Sequence, residues 1–333
     1  MTAEPIKTDQ PKTTAFFGKI ANLVHAGVFA SICGSVLGYF GSFHFLLDLF
    51  SHFRLVYATA ILIGIAIALL QKNRRLQFCW LIGFLINFAA ILPLFWGGRQ
   101  AESLSRTNTL RVMTINVLRK NDEKEAAVQA VVRARPDIVI GIETDKPWAD
   151  AFEKALKTDY PYAKIADRAD NYGVLIFSRH PIEKVEVFES PVAYVPTIRA
   201  EIKIDQTTIV VYGIHTFPPL SAFNAHSLQS QLADVAKRIK AEKSPVILMG
   251  DLNSTPWSSY FRSFLAGSGL VDSTRGFGPQ SSWPSNLPKI GIPIDHILTS
   301  PEIVTTRRKV LGDVGSDHRP VVADLLLPRS AAK

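Results

Sequence analysis

Three stretches without a single charged residue, 23–43, 55–70 and 76–96, fill most of the first hundred positions of this 333-residue chain. Lipid gives backbone amides no water to bond with, so segments of this kind must close their hydrogen bonds internally, as helices. At about 20 residues per crossing, the first and third are long enough to span a bilayer. The second is short, and Arg54 and Gln71 can reach the headgroup level from its two ends. Trp80 and Trp96 stand near the ends of the third, where indoles favour the interface. A cleaved export signal would have a shorter apolar run and would not be followed by two more. Burial of all three as core helices of a water-soluble protein is the alternative given less weight.

Charge placement gives these spans a direction. Lys7, Lys12 and Lys19 precede the first, and Lys72, Arg74 and Arg75 separate the second from the third. The first loop offers only Asp48 and Arg54, with His44 and His52. Basic loops stay on the cytoplasmic side. The expected order is therefore a polar cytoplasmic tail over 1–22, a membrane domain over 23–96 with three transmembrane helices, a polar linker over 97–108, and an extracytoplasmic domain over 109–333. Met1 to Thr14 is polar enough to be read as disordered.

The net charge of +8 is to be read in two parts. Residues 1–100 hold eight Lys/Arg against three Asp/Glu, a balance of +5. Of the chain's 37 basic and 29 acidic residues, 29 and 26 remain beyond residue 100, a balance of +3. Most of the basicity marks membrane topology and is not the footprint of a nucleic-acid binder. Both cysteines, Cys33 and Cys79, lie in apolar stretches, so the domain after the linker has no disulfide framework and no thiolate metal site.

Beyond the linker the pattern changes to short strands and amphipathic helices. Strands are expected over 110–115, 137–142, 173–177, 199–204, 208–214, 245–249, 292–298 and 320–327, and helices over 123–134 and 225–241. Polar residues recur where these strands end: Asn116, Glu143, His215, Asp251, Asn253, Asp295, Asp317 and His318. The sharpest case is Gly250-Asp251-Leu252-Asn253, after the apolar run Pro245–Met249 and before the loop and helix start at Ser254-Thr255-Pro256-Trp257. Residues two apart on a strand point to one side, so Asp251 and Asn253 aim at one spot. Alone, this would be an ordinary Asp/Asn turn. Six strand exits ending in metal- or proton-competent groups make a site the better reading.

Ordered along the chain, Thr114-Ile115-Asn116-Val117, Ile142-Glu143, Gly213-Ile214-His215-Thr216, Gly250-Asp251-Leu252-Asn253, Ile294-Asp295-His296-Ile297-Leu298 and Gly315-Ser316-Asp317-His318-Arg319-Pro320 resemble the motifs of the endonuclease/exonuclease/phosphatase family. The resemblance covers about residues 110–327. It implies a four-layer α/β sandwich of two β-sheets flanked by helices, here preceded by the three transmembrane helices. It also implies a metal-dependent hydrolase acting on phosphoester bonds with Mg²⁺ or Mn²⁺. Glu143, Asn116 and Asp317 would serve the metal. His318 would take a proton from water, and Asp295 would orient it. Asp251 and Asn253 would position the water and a phosphoryl oxygen. His215 would stabilise the charge that develops or assist the leaving oxygen.

This chain departs from the family pattern at Ile142, where Gln is common before the Glu, at Ile115, where an aromatic is common, and at His296, where Tyr is common. The departures leave the polar set whole and bear on substrate preference. His25, His44, His52, His180 and His226 fall outside the motifs and are read as non-catalytic. Trp257 and Trp283, in loops near the site, suit core packing or the lining of a lipid or base pocket. The membrane spans favour a phosphorylated substrate carried by the bilayer, such as a polyprenyl phosphate or a phospholipid headgroup. A nuclease acting on extracytoplasmic nucleic acid is the second reading, and a non-catalytic membrane scaffold the third.

Overall fold

The structure, a computed structural model, describes residues 11–97 and 109–328. It opens with α1 (Pro11–Tyr39), α2 (Phe45–Leu49) with a 3₁₀ turn over Phe50–Phe53, α3 (Arg54–Leu70) and α4 (Arg74–Ile91) with a 3₁₀ turn over Leu92–Leu94. Three runs are long and apolar enough to cross a membrane: Phe16–Tyr39, Phe45–Leu70 and Arg74–Leu94. Val28, Ile61, Ala68 and Trp80 form their shared core.

Two expectations change here. The first helix begins at Pro11, inside the stretch read as a disordered tail: proline suits a first helical turn, and no breaker follows. It also stops at Tyr39, short of Phe43, and the first loop is folded. Gly38 and Gly41 let the chain close onto α2, where an added Cβ would lie 2.8 Å from the Ser51 nitrogen and 2.5 Å from Asp48 Oδ1. The two loop charges are consumed internally, since Asp48 and Arg54 are both buried. Arg54 donates to the Ser35 carbonyl at 2.9 Å and lies over the Tyr39 ring. The linker, apart from Gly97, falls outside the described residues.

The second part is built on two six-stranded sheets. The first contains β1 (Thr109–Asn116), β2 (Ile138–Ile142), β3 (Tyr162–Ala166), β4 (Val174–Ser178), β11 (Val304–Val310) and β12 (Val321–Leu326), in the order β11-β12-β1-β2-β4-β3. The second contains β5 (Ile182–Glu189), β6 (Pro196–Ile204), β7 (Thr207–His215), β8 (Val246–Asp251), β9 (Val271–Asp272) and β10 (Asp295–Thr299), in the order β5-β6-β7-β8-β10-β9. Only β1–β2 and β7–β8 run parallel. Val112, Ile140 and Ile176 of one sheet meet Ile198, Val211 and Ile247 of the other in the central core. Their strand neighbours point the opposite way. Met113, Val139 and Phe177 pack under α5 (Lys124–Ala134) and α6 (Lys146–Leu156). Tyr212, Leu248 and Leu298 pack under α7 (Ala222–Ala241) and α8 (Ser259–Ser268). The result is the expected four-layer α/β sandwich. Strands covered on both faces read as unbroken apolar runs, which is why the central ones were legible.

The two parts meet at the start of α8. Asp48, wholly buried, accepts from Ser258 Oγ at 2.7 Å and from the Ser259 nitrogen at 2.6 Å. A carboxylate there caps free N–H groups and complements the helix dipole. Beside it, Thr255 N–H donates to His52 Nδ1 (3.4 Å), and Trp257 Nε1 donates to the Ala90 carbonyl (3.0 Å). Trp257 packs on Ala58, Ile91 and Leu94, which gives it a core role.

Candidate active site

Strand register brings the polar exits together. On the second sheet His215 pairs with Asp251 across β7–β8, and Asp251 pairs with Asp295 across β8–β10, so three functional residues lie in one row. On the first sheet Asn116 pairs with Ile142, which places Glu143 one residue beyond. The rows meet between the sheets: Asn116 Nδ2 donates to Glu143 Oε1 (3.1 Å) and to Asp251 Oδ2 (3.2 Å). The turn carrying Asp317 and His318 is tied to β1 by Ser316 Oγ, which donates to the Asn116 carbonyl at 2.8 Å. All eight residues read from the sequence converge here.

The backbone pays for this convergence. Glu143 and Asn253 sit at φ 60° and 45°, in the left-handed region that non-glycine residues rarely adopt. Such positions cost of order 1–3 kcal/mol and persist where the surroundings dictate them. Gly250 is obligatory for another reason, because a Cβ there would lie 1.8 Å from the Ile214 carbonyl oxygen.

His318 Nδ1 is 2.9 Å from Asp295 Oδ2, and its Nε2 is 3.6 Å from Asp251 Oδ2. Burial alone would lower the His318 pKa. The carboxylates of Asp295, Asp251 and Asp317 outweigh that and lift it to about 10. Burial likewise opposes ionisation of Asp295, but the charge and hydrogen bond of His318 win and hold it below its ordinary value. His215 goes the other way: burial, then the charge of His318, lower it to about 4. Its Nδ1 lies 3.0 Å from the Asn171 carbonyl, which can only accept, so Nδ1 carries the proton. Nε2 then accepts from Asn253 Nδ2 at 3.4 Å. Here His215 holds Asn253 in place. The second amide hydrogen of Asn253 goes to the Thr216 carbonyl at 2.8 Å.

Burial raises the Glu143 carboxyl, and the Asn116 hydrogen bond only partly offsets it. Burial and then the neighbouring Asp295 charge raise Asp251. Crowded, buried carboxylates with hard oxygens are the donor set that a divalent cation of the Mg²⁺ or Mn²⁺ kind relieves, so the residues fit such an ion. Donor atoms of Asp251, Asp295 and His318 lie within 4.8 Å of one another. Asp295 and His318 are committed to each other, which leaves Glu143 and Asp251, with Asp317 beside them, as oxygen donors. Asn116, expected to serve the metal, uses Nδ2 to hold two carboxylates and Oδ1 to accept from the Leu118 nitrogen at 3.0 Å. It holds Glu143 and Asp251 at a fixed separation.

Several contributors were not read from the sequence. Tyr172 stacks on Phe217 (4.4 Å between ring centres) and packs at a tilt against His215 (5.0 Å). Arg119 holds Asn171 through its Nε at 2.9 Å, and its own N–H reaches Glu143 Oε2 at 3.4 Å. Tyr172 precedes Gly173, whose added Cβ would strike the Thr144 carbonyl at 1.8 Å; an aromatic beside such a glycine was the available signal. Trp283, by contrast, was read from the sequence as a packing or pocket-lining residue; its Nε1 donates to Asp317 Oδ2 at 3.0 Å, and it lines the site. Six of the eight residues, all but Asn116 and Asp295, line one cavity of about 400 Å³ together with Tyr172, Trp283 and, from the apolar N-terminal part, Leu49, His52 and Phe53.

The comparisons with known proteins agree with this geometry. A structure described as an endonuclease/exonuclease/phosphatase from Beutenbergia cavernae is similar at 24% identity and TM-score 0.55, over 66% of this chain and 72% of that one. The mannosyl-6-phosphatase Bt3783 of Bacteroides thetaiotaomicron is similar at 18% identity and TM-score 0.54, over 66% of this chain and all of that one. A humanized TDP2 of D. rerio is similar at 15% identity and TM-score 0.55, over 65% and 98%. At such identities the likeness shows the fold. No curated protein matches the chain. The model of the Endonuclease/Exonuclease/phosphatase family matches residues 113–318, more than half of the sequence, from within β1 to His318, and the chain belongs to that family.

Proposed function

We propose that the protein is a membrane-anchored, metal-dependent phosphoesterase that hydrolyses a phosphate ester or pyrophosphate of a lipid substrate by in-line attack of water, with its site outside the cytoplasm. The observation that carries this reading is the cavity wall. Leu49 and Phe53, from the apolar segment Phe45–Leu70, line the same cavity as Glu143, Asp251 and His318. A site built partly from a membrane-spanning segment meets bilayer substrates at high effective concentration.

Members of this family typically use divalent metal ions. Glu143 and Asp251 would hold the ion, with Asp317 beside them and Asn116 fixing their separation. Bound there, it supplies Lewis-acid polarisation of the phosphoryl oxygens. Asp295 holds His318 by Nδ1 and leaves Nε2 to receive the proton of the attacking water. Neutralising Asp251 and Asp317 lowers the His318 pKa from its raised value towards one suited to a base. Asn253, held by His215 and Thr216, positions the water or a phosphoryl oxygen.

Two features support this sidedness. Contacts to the sandwich come from Asp48, His52 and Ala90, at one end of the helix bundle. Lys72, Arg74 and Arg75 lie at the other end, between α3 and α4, which suits the cytoplasmic face. A C-terminal reporter active only outside the cytoplasm should therefore be active, and activity of a cytoplasmic reporter at that position would reverse the assignment.

The function is tested with purified full-length protein, Mg²⁺ or Mn²⁺, and three substrate classes: prenyl pyrophosphates, phospholipids and DNA. Chelator-sensitive hydrolysis of a lipid class, with weak salt dependence, is expected. The sandwich's balance of +3 offers little for the many phosphate contacts nucleic acid requires. Much faster cleavage of DNA, with binding that drops steeply with salt, would replace this reading by a nuclease.

A further inference from the structure

A bare phosphate needs the polar cluster and nothing more, yet much of the cavity lining is hydrocarbon. Leu49, Phe53, Pro218, Pro219, Leu220 and Ile292 all face it. These residues come from three sources: Leu49 and Phe53 from the segment before α3, Pro218, Pro219 and Leu220 from the loop between β7 and α7, and Ile292 from the loop before β10. The loop after β7 and the start of α7 read Phe217-Pro218-Pro219-Leu220-Ser221-Ala222-Phe223. Its paired prolines fix φ and hold the apolar ridge in shape. Leu220 and Phe223 remain 68% and 59% exposed. Across the site, the loop from Trp283 to Ile292 exposes Leu287 and Ile290 in the same way. Clustered exposed apolar side chains around a cavity mark contact with something apolar.

The apolar wall is not free to drift. Asp48 grips Ser258 and Ser259, His52 takes the Thr255 N–H, and Trp257 bonds to Ala90. All four partners lie within six residues of Asn253. The wall that carries Leu49 and Phe53 is thereby held in register with the loop that carries Asp251 and Asn253.

We infer that Leu49, Phe53 and Leu220 form a hydrocarbon subsite, which takes the alkyl or prenyl chain of an amphiphilic phosphoester whose phosphate meets the carboxylate and histidine cluster. The inference rests on the phosphoesterase reading of that cluster. It makes a membrane-spanning segment a specificity-determining part of the site, beyond its role as an anchor.

The test is binding, so that it does not depend on which bond is cleaved. Full-length protein in nanodiscs with Mn²⁺ is titrated by calorimetry with n-alkyl phosphonates from ethyl to octyl, with empty nanodiscs as the blank for partition. Burial of a methylene predicts a Kd falling by about two- to fourfold for each one added, until the subsite is full. In Phe53→Ala the ratio of ethyl to octyl Kd should shrink by about tenfold, since part of the wall is gone. Should that variant fold poorly, Leu220→Ser serves, because its side chain is exposed and its loss leaves the core alone; its ratio should also shrink. Phosphonates that bind with the same Kd at every chain length, or variants with the wild-type ratio, would overturn the subsite and leave the phosphoesterase standing. Absence of metal-dependent phosphonate binding at any length would instead bring down the reading on which it rests.

Discussion

Asp48 is the residue on which the junction between the helices and the sandwich depends most, and its removal has a calculable effect. Its carboxylate accepts from Ser258 Oγ and the Ser259 nitrogen, and all three residues are buried. Asp48→Ala leaves two buried donors without acceptors, at about 1–3 kcal/mol each. It also removes an anion from a helix N-terminus, worth roughly 0.3–1 kcal/mol. Some of this is recovered as water enters, so a loss of about 2–4 kcal/mol in the free energy of local opening is expected. Amide exchange in the segment 254–262 should then quicken by about 30- to 1,000-fold. Asp48→Asn keeps one acceptor oxygen and should fall between. Hydrogen-exchange mass spectrometry of full-length protein reads this directly, with α6 on the far sheet as the internal reference. Exchange of 254–262 within threefold of wild type in Asp48→Ala, with α6 equally protected, would refute the idea that this contact holds the two parts together.

Glu143→Gln removes a charged oxygen from the buried donor set, so calorimetric Mn²⁺ affinity should fall by at least about tenfold, and added metal should restore part of the rate; unchanged affinity would remove Glu143 from the ligand set. His318→Ala should lose about 10²–10⁴-fold in turnover, the usual worth of general acid–base catalysis, and Asp295→Asn less, because it positions the imidazole without receiving the proton. Near-wild-type turnover in a folded His318→Ala protein would end that assignment. Midway along β6 and β7, where Arg199 pairs with Tyr212, Arg199 Nε and Nη2 each donate to Glu242 at 2.7 Å, and the Tyr212 hydroxyl donates at 2.6 Å. Burial pushes the Glu242 carboxyl up, but these partners outweigh it and hold its pKa below the ordinary value. A depressed carboxylate stabilises the fold above its unfolded pKa, and that contribution disappears as pH falls through the folded value. Wild-type stability should therefore drop more steeply than that of Glu242→Gln below about pH 4, and parallel curves would contradict it.

Much of this protein could be read along the chain because its signals are local. The absence of charge over 23–43, 55–70 and 76–96 marks segments that lipid would require to be helices. Short unbroken apolar runs bounded by turn signals, such as Ile138–Ile142 and Val246–Met249, suit strands covered on both faces, which they form. The polar residue after each run then marks a strand exit, and the motif order carries the family. The four strands that escaped the reading, β3, β5, β9 and β11, are the four sheet edges. Edge strands are half-exposed and short or charged, so their pattern resembles that of loops. Helix α6 was missed as well, although Asp145 caps it by accepting from Trp148 N–H, and Pro147 stands in its first turn. Tertiary structure alone decided which exits converge, because register between strands far apart in sequence sets Asp251 between His215 and Asp295. It alone decided that Asn116 spaces two carboxylates, that Trp283 lines the pocket while Trp257 packs in the core, and that Tyr172 belongs to the site. It also turned a loop holding two charges into a folded wall of the cavity. Burial and hydrogen bonding, which set the charge and role of each group, depend on neighbours brought from elsewhere in the chain, and local sequence does not carry that information.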